Sequence, residues 1–145
     1  MKSVPERISF NYQTAFSGFT NRNDLKSFLK KVFKKEGRKI ERVDFIFCTD
    51  QFLLDLNQQH LNHNTYTDII TFDLSLPGQK AIAEIYISVE RVRENAKLFN
   101  TGFAMELHRV IIHGVLHLCG YKDKIKRDQL KMRQKENYYL KAYFD

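Results

Sequence analysis

The sequence predicts an α/β (α+β) fold, a small mixed sheet covered by helices, and three observations carry that reading. Segments with the two-residue alternation of a half-buried strand are interleaved with segments whose apolar residues recur at helical spacing. One segment near the C-terminal end is apolar almost all the way round yet carries two histidines four residues apart, the pattern of a buried central helix with chemistry on it. The 145 residues hold only two prolines and six glycines and no repeat or linker-like stretch, so residues 1–145 are read as a single domain.

In chain order, Ile8, Phe10 and Tyr12 alternate with Ser9 and Asn11 and give the first strand. Asn23 is placed to cap a helix whose Leu25, Phe28, Leu29, Val32 and Phe33 share one face, with lysines in its last turn and Gly37 closing it. Residues 42–48, rich in Val, Ile and Phe, form the second strand, and Asp50 follows as the cap of a short helix through Phe52, Leu53 and Leu56. Residues 60–68 read as a polar loop, whose His60 and His63 could reach a metal or a phosphate but have the character of solvated loop histidines. Residues 69–74 and 81–89 are two strands around Pro77-Gly78, close enough to pair antiparallel. Glu84 lies in the second, and alternation leaves open whether it is exposed or lines a site. Ser88 caps a helix through Val92, Ala96, Leu98 and Phe99 that breaks at residues 100–102. The central helix then runs from about Phe103 to Cys119 on Met105, Leu107, Val110, Ile111, Ile112, Val115, Leu116 and Leu118. A last helix, from Ile125 to about Tyr143, carries Leu130, Tyr138 and Leu140 for packing.

His113 and His117 stand one helical turn apart, so both imidazoles converge on one face. Gly120 is suited to turning the chain back over the helix end, and Asp123 follows as a third donor. Two nitrogens and one carboxylate oxygen leave a fourth position for water, the arrangement of a catalytic rather than a structural Zn2+, one per chain. Gly114 occupies the position where zinc peptidases with this histidine spacing carry their general-base Glu, so a metallopeptidase lacks its base here. An iron oxygenase with two histidines and a carboxylate ranks below it, because such ligands usually lie on strands. Arg109, one turn before His113, is a candidate phosphate contact, with pairing to Glu106 as the simpler role. Cys48 and Cys119 match no Cys-x-x-Cys motif and read as buried thiols, with Cys119 a poor fourth ligand.

The formal charge of +7 and a pI near 9.4 argue for a polyanionic partner, RNA being the simplest. Basic residues cluster from Lys26 to Lys39 and from Lys122 to Lys135, each of which could equally be a solvated helix face. The first residues lack the apolar core of a signal peptide and no apolar run has the length of a membrane span, so a cytoplasmic protein without a membrane partner is expected.

The run Ile111-Ile112-His113-Gly114-Val115-Leu116-His117-Leu118-Cys119-Gly120-Tyr121 resembles the signature of the YbeY-type endoribonucleases, the bacterial rRNA maturation factors, H-G-x-L-H-L-x-G-Y-D-H. Leu56-Asn57, the segment Thr67-Asp68-Ile69-Ile70-Thr71-Phe72 and the segment Glu84-Ile85-Tyr86-Ile87-Ser88 are similar to further segments of that family. The resemblance implies a four-stranded mixed sheet with zinc in a cleft at the ligand helix, and a single-strand-specific endoribonuclease acting on the 3′ end of small-subunit rRNA and in ribosome quality control. Two departures stand out. Asp123 replaces the family's third zinc-binding His, which makes the site harder and more negative. Leu61 stands where the family tends to carry an Arg beside the metal, which keeps open a non-catalytic, metal-stabilised assembly factor that binds RNA and the small ribosomal subunit. No general base is assigned by the sequence, and the oligomeric state is not given by it.

Overall fold

The computed structural model describes residues 5–61 and 65–145. The side chain of Leu61, and His63 altogether, lie outside the described residues. The elements run β1 (Arg7–Tyr12), α1 (Arg22–Glu36), β2 (Ile40–Cys48), α2 (Asp50–Leu61), β3 (Ile69–Asp73), β4 (Ala81–Ser88), α3 (Val89–Leu98), α4 (Phe103–Leu118) and α5 (Lys126–Phe144). The four strands form one mixed sheet in the order β1-β2-β4-β3. β1, β2 and β4 are parallel, and β3 pairs antiparallel with β4 across the Pro77-Gly78 turn, as its spacing predicts.

Strand alternation sorts the two faces. Val43, Phe45 and Phe47 of β2 register with Ala83, Ile85 and Ile87 of β4, all fully buried. This apolar face receives α4, whose Leu107, Val110, Ile111, Ile112, Val115 and Leu116 are also buried. Helix and sheet meet at Gly114, where an added Cβ would lie 3.0 Å from Ile69 Cδ1 and 3.1 Å from two methyl carbons of Ile85. Gly114 therefore sets how closely the ligand helix approaches the sheet. The other sheet face packs on α2 through Phe52, Leu53 and Leu56 against Cys48, Ile70, Phe72 and Tyr86.

Several caps and packing faces differ from the sequence expectation. Asn21, with φ 56°, precedes α1 and makes no side-chain cap bond, so Asn23 lies inside the first turn rather than capping it. Gly37 does close α1 in the left-handed region, with Lys34 and Lys35 before it. Thr49 rather than Asp50 caps α2, its hydroxyl accepting from the Phe52 N–H at 3.1 Å. Asp50 is turned to other work, accepting from Ser88 Oγ at 3.0 Å and from Arg91 at 2.6 Å. Ser88 caps α3 as expected, accepting from the Arg91 N–H at 3.1 Å.

Leu98 and Phe99 are exposed: the buried stripe of α3 is Val89, Val92 and Ala96, Leu98 rotates off it, and Phe99 lies past the last helical residue as the C-cap. On α5 the buried stripe is Met132, Glu136, Tyr139 and Leu140, which leaves Leu130 and Tyr138 outside. Met105 is likewise largely exposed at the open start of α4. No helix of the described residues is long and apolar enough to cross a membrane.

Candidate metal centre

α4 presents His113 and His117 side by side, their ring centroids 4.6 Å apart and their planes at 81°. The helix ends at Leu118, and Gly120, at φ 102°, reverses the chain with its N–H donating to the His117 carbonyl at 3.0 Å. A residue with a Cβ is strained in that conformation, which is why a glycine stands there. Two side chains from elsewhere hold the reversed segment. Arg38 donates to the Leu118 carbonyl at 2.7 Å, and the Tyr121 hydroxyl donates to Glu36 at 2.7 Å.

The turn delivers Asp123 onto both histidines. Its Oδ2 lies 3.2 Å from His113 Nε2 and 3.2 Å from His117 Nε2. The three donor atoms lie within 4.8 Å of one another. Ligands at ~2.0 Å from a tetrahedral ion are separated by roughly 3.3 Å, so these contacts match edges of such a tetrahedron. The chemistry of the set, two imidazole nitrogens and one carboxylate, is one that divalent metals accept. These residues fit a metal.

Glu136 of α5 supplies what the sequence reading did not find. His113 Nδ1 donates to Glu136 Oε2 at 2.6 Å, which puts the ring proton on Nδ1 and leaves the Nε2 lone pair for the ion. Glu136 is 5% exposed. Its other oxygen accepts from Arg109 Nη1 at 3.1 Å and lies 3.7 Å from Arg133. Arg109 therefore pairs with Glu136, not with Glu106 one turn before it. The only trace of this in the sequence is position: Glu136 falls on the buried stripe of α5, where an unpartnered carboxylate is costly.

Around these residues opens a cleft of about 1130 Å³. Asp68, Asn95, Glu106, Lys124, Lys126 and Arg133 are among the residues that line it. Burial pushes the Asp68 carboxyl up, an effect that His113 opposes and Glu136 reinforces. Glu106 is raised for the same first reason, with Asp68 adding to it. Asn95 Nδ2 donates to Asp68 Oδ2 at 3.4 Å.

The remaining sequence candidates fall elsewhere. Glu84 is on the opposite sheet face, accepting from Tyr86, and does not line this cleft. His60 packs edge-on to Phe72 at 5.7 Å. Cys48 is buried and Cys119 half-buried, and burial pushes each thiol up to about 12, which keeps both as neutral thiols.

The Glu136–His113 pair has a signed pH signature. Burial alone lowers the His113 pKa, but the Glu136 hydrogen bond and charge, with Asp123 and Asp68, outweigh it and hold the group above its ordinary 6.5. Burial raises Glu136, yet the His113 hydrogen bond and charge and the Arg109 bond hold it below 4.5. A raised histidine stabilises the fold fully below 6.5 and loses that contribution as pH rises through its folded value. A depressed carboxylate stabilises above 4.5 and loses its contribution as pH falls through its folded value. Metal-free protein is thus expected to draw most from this pair between 4.5 and 6.5. Raising the pH toward 8 should lower its Tm in thermal unfolding. Metal affinity should rise over the same interval, because the ion needs the neutral ring. A Tm that is as steep with pH in Glu136→Gln would show that another group is responsible.

The family model described as Endoribonuclease YbeY matches residues 8–144. The Endoribonuclease YbeY of Flavobacterium psychrophilum is 48% identical over 136 residues, covering 94% of this chain and 96% of that one. Its counterpart from Christiangramia forsetii is 50% identical over 113 residues, 78% of each chain. Among solved structures, the solution structure of a Thermotoga maritima protein superposes with a TM-score of 0.61 at 29% identity, covering 95% of this chain and 89% of that chain. Matched from its first strand into its last helix, the chain belongs to the endoribonuclease YbeY family.

Proposed function

We propose that this chain is a metal-dependent endoribonuclease of one domain, residues 1–145, cutting single-stranded RNA in the maturation of small-subunit rRNA and in ribosome quality control in the cytoplasm. The endoribonuclease role rests on the family. The observation that carries the metal dependence is the convergence of His113 Nε2 and His117 Nε2 on Asp123 Oδ2, each at 3.2 Å. These three residues would hold one zinc. When bound, zinc supplies a Lewis acid that lowers the pKa of a coordinated water and polarises a phosphoryl oxygen.

The chain's own side chains do the rest. Glu136 fixes the His113 tautomer, and Lys124, Lys126 and Arg133 on the cleft wall attract the phosphate backbone. Arg109 is engaged with Glu136, so any contact it makes with phosphate is through the guanidinium nitrogens left over. Asp68, which lines the same cleft and whose carboxyl burial pushes up, is the candidate to hand a proton to a departing ribose oxygen.

The test is metal content by elemental mass spectrometry on protein purified without added metal, for wild type, His117→Ala and Asp123→Ala. About one zinc per chain in wild type, lost in both variants together with cleavage of single-stranded RNA, is the expected result. Asp123→Ala retaining its metal would sink the three-ligand site. Metal-free variants that still support rRNA maturation would make the protein a non-catalytic assembly factor.

A further inference from the structure

The two basic clusters, some hundred residues apart in sequence, meet in the fold. Lys35 near the end of α1 bonds to the Tyr138 hydroxyl on α5, its Nζ 4.4 Å from the ring centroid. Lys135 lies 5.9 Å from the same ring and 3.4 Å from Glu36. Both Lys131 and Lys135 lie 5.8 Å from the Tyr121 ring. Lysines and two tyrosines thus alternate along one strip, from Lys35 through Tyr138 and Lys135 to Tyr121 and Lys131.

Glu36 is the carboxylate within the strip, and it is largely buried and satisfied by Tyr121, Tyr139 and Lys135, so the exposed charge is positive. Tyr138 is 49% exposed, while its neighbour Tyr139 takes the buried stripe of the helix. The strip also begins beside the cleft. Tyr121 is two residues from Asp123, a backbone reach of at most ~7 Å, with the exposed Lys122 between them.

We propose that this strip is a second RNA-contacting surface, on which single-stranded RNA leaving the metal cleft continues over the residue 121–124 turn, its phosphates on Lys131, Lys135 and Lys35 and a base stacked against Tyr138. The inference rests on the endoribonuclease reading. Single-stranded RNA fits better than a protein partner because the surface pairs cations with exposed aromatic rings, the combination that binds phosphate and base together. A solvated face would need no aromatic residue.

The test compares 2′-O-methyl oligoribonucleotides, which resist cleavage, of about 6 and about 20 nucleotides by fluorescence anisotropy. In wild type the longer one is expected to bind at least ~10-fold tighter, with a steeper salt dependence. Lys35→Gln/Lys131→Gln should erase most of that gain and lower the slope of log K against log salt by about 1.4, since each single-strand contact contributes about 0.7. Tyr138→Ala should weaken only the longer oligonucleotide. Affinity for the shorter one should stay as in wild type in all variants. Short RNA bound with no gain on lengthening, or a gain untouched by the lysine variant, overturns the strip and leaves the cleft standing. Binding of neither length overturns the RNA reading itself and the strip with it.

Discussion

Glu136→Ala is expected to weaken metal binding by about 10- to 100-fold and to destabilise the metal-free fold by about 3–5 kcal/mol. The two effects have separate causes. Without the carboxylate, nothing holds the His113 proton on Nδ1, so the tautomer with its lone pair toward Asp123 is no longer selected. The stability loss comes from Arg109, whose guanidinium nitrogen loses its 3.1 Å partner in a half-buried setting. Glu136→Gln separates them. Its amide oxygen still accepts from His113 Nδ1, so metal affinity should fall less than in the alanine variant, while the charge that pairs Arg109 is gone. Competition against a chelator gives the affinity, and urea unfolding of metal-free protein gives the stability. Equal metal affinity in wild type and Glu136→Ala would mean that α4 alone positions His113.

The fold was legible where side-chain chemistry repeats along one element. Val43, Phe45 and Phe47 announce a strand with a buried face, and the all-round apolar pattern of residues 107–118 announces the central helix. The ligand set was legible for the same reason, because His113 and His117 are neighbours by helical spacing and Asp123 is delivered by a glycine turn only a few residues on. Glu136 was not, since its partner lies 23 residues earlier and nothing local marks a carboxylate on a helix stripe as paired. Asp68 was visible as part of a motif but without a role, because its shift comes from burial, which only the packed cleft supplies. Ser88 and Gly37 cap as read, while the cap of α2 falls one position earlier for a related reason. At α2 both Thr49 and Asp50 are capable caps, and tertiary partners decided between them: Asp50 was claimed by Arg91 and Ser88, leaving Thr49 to the helix end.

Gly114 also changes meaning between sequence and structure. In the sequence it is the place where a peptidase base is missing. In the fold it faces the sheet, about 60–100° around α4 from the two histidines, and its Cα hydrogens occupy the space left by Ile69 and Ile85. A glutamate there would meet Ile69 and Ile85 already at its Cβ, so restoring the residue would first require the helix or the sheet to move.

The packing makes a graded prediction. In Gly114→Ala the new methyl would gain helix propensity of about 1 kcal/mol. Against that, it meets Ile69 at 3.0 Å and Ile85 at 3.1 Å, and overpacking a close helix–sheet contact costs about 1–3 kcal/mol. The contacting atoms include the branched Cγ2 of Ile85, itself buried and without room to withdraw, so the net is expected to be destabilising. Gly114→Glu adds an unpaired buried carboxylate to the same clash and is expected to leave no cooperative unfolding transition. Urea unfolding of the alanine variant, with metal binding measured beside it, checks the account. A helix pushed outward carries His113 and His117 with it while the Tyr121–Glu36 bond holds the turn before Asp123, so metal affinity should fall along with stability. Gly114→Ala more stable than wild type, with full metal affinity, would show that the helix shifts freely on the sheet and that the glycine does not set the height of the site.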